Sequence, residues 1–191
     1  MPIAEIRLNV ATPDVVRSGG AEWAITAGFS ESPFGRCLIA ECPHGICYLG
    51  FGDADVWPEL QTLWSDFKII RDDPMAASLA DRVFVKQQAL DVFVKGSEFQ
   101  LKVWRALLEI PCGEAISYRM LANRIGNPKA IRAAGAAVGK NPVAYIIPCH
   151  RIVHSDGSVG GYRWGVQLKS EMLMREQAIQ GNKKGAHSGA F

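Results

Sequence analysis

The spacing of apolar residues changes near residue 56, and this change constrains the fold of the first half of the chain. Before it lie three segments rich in strand-forming residues, 23–29, 36–42 and 46–51. Pro43-His44-Gly45 is the predicted turn between the last two. From Val56, apolar residues recur every three or four positions, which indicates a helix carrying Leu60, Leu63, Trp64, Phe67 and Ile70. A second helix is predicted after Pro74, with Leu79, Val83, Leu90 and Phe93 on one side. Residues 21–94 are thus predicted to form an α/β domain, a small antiparallel sheet with helices.

The two ends of the chain carry weaker patterns. Residues 1–20 alternate only loosely and contain Thr12-Pro13 and Gly19-Gly20, so we predict a poorly attached extension. Residues 179–191 are rich in Gly, Ser and Lys, which is typical of a flexible tail.

A second domain, mainly α, is predicted over residues 95–178. It begins near Lys95-Gly96-Ser97, where Ser97 can cap a helix that ends at Pro111-Cys112-Gly113. Helices predicted over 118–125 and 129–138, separated by Gly126-Asn127-Pro128, indicate a helix-turn-helix. A last helix is predicted over 166–177.

The second helix of this helix-turn-helix is made almost entirely of small residues. Arg132 is its one long side chain among alanines and a glycine. Helix-turn-helix proteins usually recognise base edges in the major groove through several polar side chains, and this helix has almost none. It is therefore predicted to bind DNA without sequence preference, through phosphates and the minor groove.

Charge is divided unevenly along the chain, although the net charge is only +2. Residues 1–94 hold 7 Lys+Arg against 13 Asp+Glu, residues 95–176 hold 12 against 6, and the remainder holds 2 against none. A basic part joined to an acidic part is expected when only one of them meets a polyanion.

Cysteine usage and hydropathy indicate the cellular compartment of the protein. Five cysteines without a Cys-x-x-Cys pair favour reduced thiols over a disulfide framework. Cys42, His44 and Cys47 lie close in sequence, but four zinc ligands are not evident, so small apolar residues in a hairpin are the favoured interpretation and no metal is predicted. No apolar run approaches a membrane span and no secretory signal is visible, so an intracellular protein is predicted, in the cytoplasm or a nucleus.

The chemistry is predicted at Pro148-Cys149-His150-Arg151. The apolar run 143–147 is predicted to be a short buried strand, and Pro148 cannot donate to a sheet, so Cys149 would be presented at the strand end. A thiol needs activation to act as a nucleophile at neutral pH, and His150 can provide it. Neighbouring side chains on extended backbone point apart, so a kink or a bridging water would have to connect Cys149 with His150.

These motifs together resemble the O6-alkylguanine-DNA alkyltransferases. The resemblance rests on Pro148-Cys149-His150-Arg151, the upstream Asn141-Pro142 and the downstream Gly161-Tyr162-Arg163-Trp164-Gly165. It covers residues 95–178 strongly and 21–94 weakly. It implies DNA repair by single-turnover transfer of an alkyl group from O6-alkylguanine, and from O4-alkylthymine, to Cys149 after nucleotide flipping. It implies no cofactor, a monomer, no membrane association, and duplex DNA bound through the minor groove.

The resemblance also implies roles for individual residues. The catalytic group would comprise Cys149, His150, Glu176 as the carboxylate that orients the histidine, Tyr118 as proton donor, and Asn141. The DNA contacts would comprise Arg132, which replaces the flipped nucleotide, with Tyr118, Lys129, Ala130, Ala133, Gly135 and Arg151. The substrate pocket would comprise Val159, Gly160, Gly161, Tyr162, Arg163 and Trp164, whose bulk should favour methyl over benzyl-sized adducts.

Two other classes of protein share parts of this pattern. A Cys-His-Glu hydrolase would use the same three side chains but needs an oxyanion hole and many turnovers. A DNA-binding regulator would use the helix-turn-helix without Cys149.

Overall fold

The computed structural model describes residues 5–187, which divide into two compact units. The sheet unit comprises residues up to Ser97 together with Pro142–Ile146. The helical unit comprises Glu98–Asn141 and the residues from Ile147 onward. The expected class, an α/β module followed by a mainly helical domain with a helix-turn-helix, is confirmed.

A six-stranded mixed sheet forms the sheet unit. Its strands are β1 (Ile6–Val10), β2 (Ile25–Ser32), β3 (Gly35–Cys42), β4 (Gly45–Phe51), β5 (Ile69–Arg71) and β6 (Leu90–Val94), in the order β1-β6-β4-β3-β2-β5. The central strands β2, β3 and β4 are antiparallel, whereas β1 pairs with β6, β6 with β4, and β5 with β2 in parallel.

Helices α1 (Pro13–Glu22), α2 (Val56–Leu63) and α3 (Asp73–Ala80) connect these strands, and a π-helical turn, Asp81–Lys86, continues α3. Asp72 caps α3 by accepting a hydrogen bond from the backbone of Met75 at 2.8 Å. Trp64 is fully buried in the core of the unit and donates its indole N–H to the Cys47 carbonyl at 3.4 Å. The predicted helix is shorter than its apolar spacing indicated, because α2 ends at Leu63. Trp64 and Phe67 are buried just after it, and Ile70 lies exposed in β5.

Two further predictions about the sheet unit were wrong. Residues 6–10, predicted as part of a loose extension, are an edge strand whose partner lies more than 80 residues away, from Ile6 opposite Leu90 to Val10 opposite Val94. Leu90 and Phe93, predicted on a helix, lie in β6. Helical spacing and the short apolar run of a strand look alike over so few residues, because the deciding hydrogen bonds are long-range.

The helical unit contains α4 (Glu98–Leu108), α5 (Tyr118–Arg124), α6 (Ile131–Gly139) and α7 (Val166–His187), with the two-residue strands β7 (Ile116–Ser117) and β8 (Ile152–Val153) paired in parallel. Ser117 caps α5 through a hydrogen bond from the Met120 backbone at 3.2 Å. Trp104 of α4 is buried and donates to the Ala137 carbonyl at 3.0 Å, which ties α4 to α6. Packing this close requires the small residues of α6.

Boundaries in this unit differ from the predictions in two places. α6 begins at Ile131, so Lys129 and Ala130 belong to the turn before it. α7 extends through His187, well into the predicted tail, and residues 188–191 of that prediction lie outside the described residues. Within residues 5–187, no helix combines the length and apolarity that crossing a bilayer requires.

The predicted strand over residues 143–147 does not form. Val143 makes only an isolated bridge to Leu49, supported by the bond from the Ala144 N–H to the Leu49 carbonyl at 2.8 Å. Tyr145 then adopts a left-handed conformation with φ of 64°, which ends the extended backbone. The run is apolar because it is buried, not because it continues a sheet.

Candidate active site

Cys149 opens a short 3-10 turn, Cys149–Arg151, rather than ending a strand. Pro148 lacks an N–H, and its carbonyl accepts the Arg151 N–H at 3.1 Å to close the turn. The backbone of Cys149 is therefore not extended, contrary to what the sequence analysis had assumed. Cys149 is 2% exposed and His150 is fully buried.

Two side chains contact the Cys149 sulfur directly. The amide of Asn141 donates to the Ile147 carbonyl at 2.8 Å and to Cys149 Sγ at 3.1 Å, so it holds both the backbone of the turn and the sulfur. Tyr162 Oη lies 3.9 Å from Sγ as acceptor of the thiol proton, and it can donate to Met172 Sδ at 3.7 Å. The tyrosine hydroxyl can rotate to donate to the sulfur once the thiol has ionised.

The ionisation of Cys149 is governed by burial and by its polar neighbours. Burial raises the pKa of the thiol, while the amide of Asn141, the hydroxyl of Tyr162 and the charge of Lys169 act to lower it, and burial prevails. The resting sulfur is therefore protonated at neutral pH. A base must take this proton before the sulfur can act as a nucleophile.

His150 is held by the carboxylate of Glu176. His150 Nε2 lies 3.0 Å from Glu176 Oε1. Burial lowers the pKa of His150, and nearby Arg151 and Lys169 lower it further although Glu176 opposes them, so the ring is neutral at rest. Burial would raise the pKa of Glu176, yet hydrogen bonds from His150 and Arg151 hold it at about 2. Because a carboxylate only accepts, the His150 proton lies on Nε2, and Nδ1 carries the lone pair.

Arg151 does not occupy the DNA-contacting position predicted for it. Its Nε and Nη2 atoms form a two-pronged bond with Glu176 at 2.9 and 2.7 Å, and Nη1 donates to the Ile110 carbonyl at 2.6 Å. The Gly113 N–H completes the set by donating to Glu176 at 3.0 Å. The arginine therefore balances the buried carboxylate. Sequence alone could not distinguish this internal partner from a phosphate.

A pocket of about 220 Å³ opens above Cys149. This volume is smaller than the ~300–1,000 Å³ usual for sites that bind drug-sized molecules. Residues of α5, α6, the 3-10 turn and the segment before α7 line it: Tyr118, Gly135, Val138, Gly139, Cys149, Gly161, Tyr162, Arg163 and Trp164. The thiol and the helix-turn-helix thus share one cavity.

The predicted pocket residues are divided between the lining and its support. Gly161, Tyr162, Arg163 and Trp164 line the cavity, and the Tyr162 and Trp164 rings pack edge-on at 5.2 Å. Gly160 is buried behind the lining, and Val159 is half-buried nearby. Val138 and Gly139 were not predicted as lining residues; helical spacing from Gly135 could have indicated them.

Apart from Tyr118 of α5 and Arg151, the predicted DNA contacts lie on or beside α6. Arg132 and Ala133 are exposed, while Ala134, Ala137 and Val138 of the same helix are buried. Gly135 faces the ring of Tyr118, since a Cβ added there would lie 3.5 Å from it. Lys129 is exposed and Ala130 half-buried in the preceding turn. One face of α6 therefore packs into the unit, and the other presents Arg132 to solvent.

Lys169 is a site residue that the sequence analysis missed. It is 1% exposed, and its ammonium donates to the Gly160 carbonyl at 3.5 Å. Burial lowers the pKa of Lys169, and the charge of Cys149 acts in the opposite direction. The buried face of α7 could have been predicted from the helical spacing of its residues Lys169, Met172, Leu173 and Glu176.

The region around Cys42 and Cys47 has the features of a packed hairpin. Both thiols are buried, and Cys42 Sγ donates to the Gly45 carbonyl at 3.5 Å. Among residues 5–187, no three His, Cys, Asp or Glu side chains cluster in a way that could hold a metal ion.

Comparison with known proteins identifies the family. Residues 98–178 match the DNA binding domain of 6-O-methylguanine DNA methyltransferase, and residues 25–90 match its ribonuclease-like domain. The bifunctional transcriptional activator/DNA repair enzyme Ada of Escherichia coli is 44% identical over 170 residues, which is 84% of this chain and 48% of that protein. The chain thus spans about half the length of this curated relative.

Two further similarities extend over most of both chains. A methylated-DNA--protein-cysteine methyltransferase of Methanosarcina barkeri is 38% identical over 151 residues, covering 77% of this chain and 94% of that protein. The crystal structure of Mycobacterium tuberculosis OGT in complex with DNA superposes with a TM-score of 0.67 at 30% identity, covering 80% of this chain and 93% of that one. The chain belongs to the O6-alkylguanine-DNA alkyltransferase family.

Proposed function

We propose that this protein repairs DNA by transferring a methyl or larger alkyl group from O6-alkylguanine, and from O4-alkylthymine, to its own Cys149. One observation carries the proposal: a single cavity is lined by the Cys149 thiol, by Tyr118 of α5 and by Gly135 of α6. A nucleophile at the bottom of a pocket beside a helix-turn-helix suits a base that has left its duplex.

The thiol proton leaves first in the proposed mechanism. His150 Nδ1 accepts it through a bridging water, and the resulting imidazolium is stabilised by Glu176, which is 3.0 Å from Nε2. The thiolate gains hydrogen bonds from Asn141 and Tyr162 and the positive charge of Lys169. Ionisation on substrate binding costs about 1.36 kcal/mol for each unit by which the pKa of Cys149 exceeds the pH.

The alkyl carbon then moves from oxygen to sulfur in line. A C–S bond forms as the C–O bond breaks, and the bonding pair remains on the guanine oxygen. Tyr118 lines the pocket and supplies a proton to the base, so that guanine departs neutral. Burial raises the pKa of Tyr118, and the charge of Cys149 raises it further, so its hydroxyl is protonated and able to donate.

DNA is proposed to bind through its minor groove, largely without sequence preference, to the exposed face of α6. The small residues of that helix allow close approach, and the exposed Arg132 takes the place of the flipped nucleotide. The product is a thioether, and the site contains no group to cleave it, so each monomer performs one turnover.

The direct test is to weigh the protein after incubation with a duplex containing one O6-methylguanine. The expected result is a mass gain of one CH₂ on the Cys149 peptide, equimolar with restored guanine. Cys149→Ser should abolish both changes. Cys112→Ser is the matched control, because Cys112 is a partly exposed thiol of the same unit and should retain full repair. Restored guanine with an unmodified Cys149 peptide would refute the transfer.

A further inference from the structure

His154 stands beside Tyr118, which lines the pocket. The two rings are 5.6 Å apart between centroids and inclined at 50°. A Cβ added to Gly160 would lie 2.8 Å from His154 Nε2 and 3.3 Å from Tyr118 Oη, so both polar tips point into the same small space above that glycine. They are close enough for one water to join them.

The position of His154 is fixed by its backbone, although its side chain is exposed. The His154 N–H donates to the Ser158 carbonyl at 2.9 Å, and the Gly157 N–H donates to the His154 carbonyl at 3.0 Å. Asp156 accepts from the Ser158 backbone at 2.9 Å, which closes the tip of this turn. Two backbone hydrogen bonds thus fix the backbone of His154 in a short turn directly after β8.

Tyr118 needs a source of protons in the proposed chemistry. A phenolate at this position is disfavoured by burial. The hydroxyl can therefore give up its proton readily only if another proton reaches it at the same time. The exposed ring of His154 is in contact with solvent, and histidine is the side chain that exchanges protons near neutral pH.

We infer that His154 is a positioning residue that relays a proton from solvent to Tyr118 during alkyl transfer. This inference rests on the proposed function. As the C–O bond breaks, Tyr118 gives its proton to the guanine anion, and the His154 imidazolium gives a proton to the Tyr118 oxygen through the intervening water. The result is neutral guanine, an intact phenol and a neutral imidazole, which solvent protonates again.

Several charged groups surround this relay. Asp156 lies on the same turn, and its pKa is lowered chiefly by hydrogen bonds from Ser158. Cys149 acts on Tyr118 across the pocket, and Lys169 lies beneath Gly160. As the pH rises, more of the thiol ionises, which raises the rate of methyl transfer. An imidazole loses its proton over the same range, which lowers the rate, so the two effects oppose each other.

The test is the single-turnover rate of methyl transfer to Cys149 between about pH 5.5 and 9, the range in which a histidine changes charge. His154→Gln should lower the rate about tenfold at the acid end, less than the ~10²-fold of a general acid that touches substrate. The two rates should converge at the alkaline end, where an imidazole no longer has a proton to give. His44→Gln replaces an exposed histidine of the sheet unit and should follow the wild-type profile.

A second variant separates proton relay from attraction of DNA. His154→Arg keeps a positive charge but cannot release a proton, so it should behave as His154→Gln does. A wild-type profile in either variant would overturn the inference. Failure of the proposed function would look different, because Cys149 would remain unmodified at every pH in wild type and variants alike.

Discussion

Cys149 rests as a protonated thiol in a site built to receive its charge. Burial keeps the pKa of the thiol raised, while the amide of Asn141, the hydroxyl of Tyr162 and the charge of Lys169 act to lower it. Such a site avoids the reactivity of an open thiolate and stabilises the anion when a substrate is present. His150 supplies the base, and Arg151 keeps Glu176 ionised.

The contribution of Lys169 can be measured through the pH dependence of Cys149. The charge of Lys169 lowers the pKa of the thiol, so Lys169→Met should raise that pKa. At pH values below the pKa, each unit of rise reduces the thiolate fraction about tenfold. The limb of the repair rate that rises with pH should move to higher pH. Peptide-resolved alkylation by iodoacetamide across pH checks the shift independently of DNA.

The matched control is Lys169→Arg, which retains the charge and should keep the profile close to that of the wild type. A Lys169→Met profile that is merely lower, with its midpoint unchanged, would indicate a packing role instead.

At the residue scale, the sequence predicted the roles of residues within a local motif better than the roles that depend on a partner distant in sequence. Asn141, eight positions before Cys149, contacts its sulfur, and Glu176 contacts His150. Arg151 was misassigned because its partner lies 25 residues away on another helix.

Among the secondary-structure elements, the helix-turn-helix was predictable because its signals are local. Ser117 caps α5, and the break after it contains glycine and proline. The strand predicted over residues 143–147 failed because apolar composition reports burial rather than pairing. The edge strand β1 was missed because its pairing with β6 is long-range.

Arg132 tests the proposed use of α6. It is exposed in the first turn of that helix, so Arg132→Ala should leave the fold intact. It should slow repair of a duplex by about 10- to 100-fold, because flipping costs a few kcal/mol that the arginine offsets. Transfer from the free base O6-methylguanine should be unaffected, since no flipping is needed.

The matched control for Arg132 is Arg124→Ala, which removes an exposed arginine from the end of α5. Equal slowing of Arg132→Ala on duplex and free base would contradict the proposed role in flipping.

Over the whole molecule, charge is separated between the two parts of the sequence: residues 95–176 carry 12 Lys+Arg against 6 Asp+Glu, and residues 1–94 carry 7 against 13. If the basic part alone meets the phosphates, log K for a duplex should fall linearly with log[salt], with a slope of about −0.9 for each phosphate neutralised. Fluorescence anisotropy of a labelled duplex measures this slope.

Lys129→Gln removes one exposed charge from the turn before α6 and should reduce the magnitude of the slope by about one. Lys68→Gln, on an exposed lysine just before β5, should leave the slope unchanged, because that residue lies in the acidic part of the sequence. Equal slopes for these two variants would show that the proposed division of charge does not direct binding.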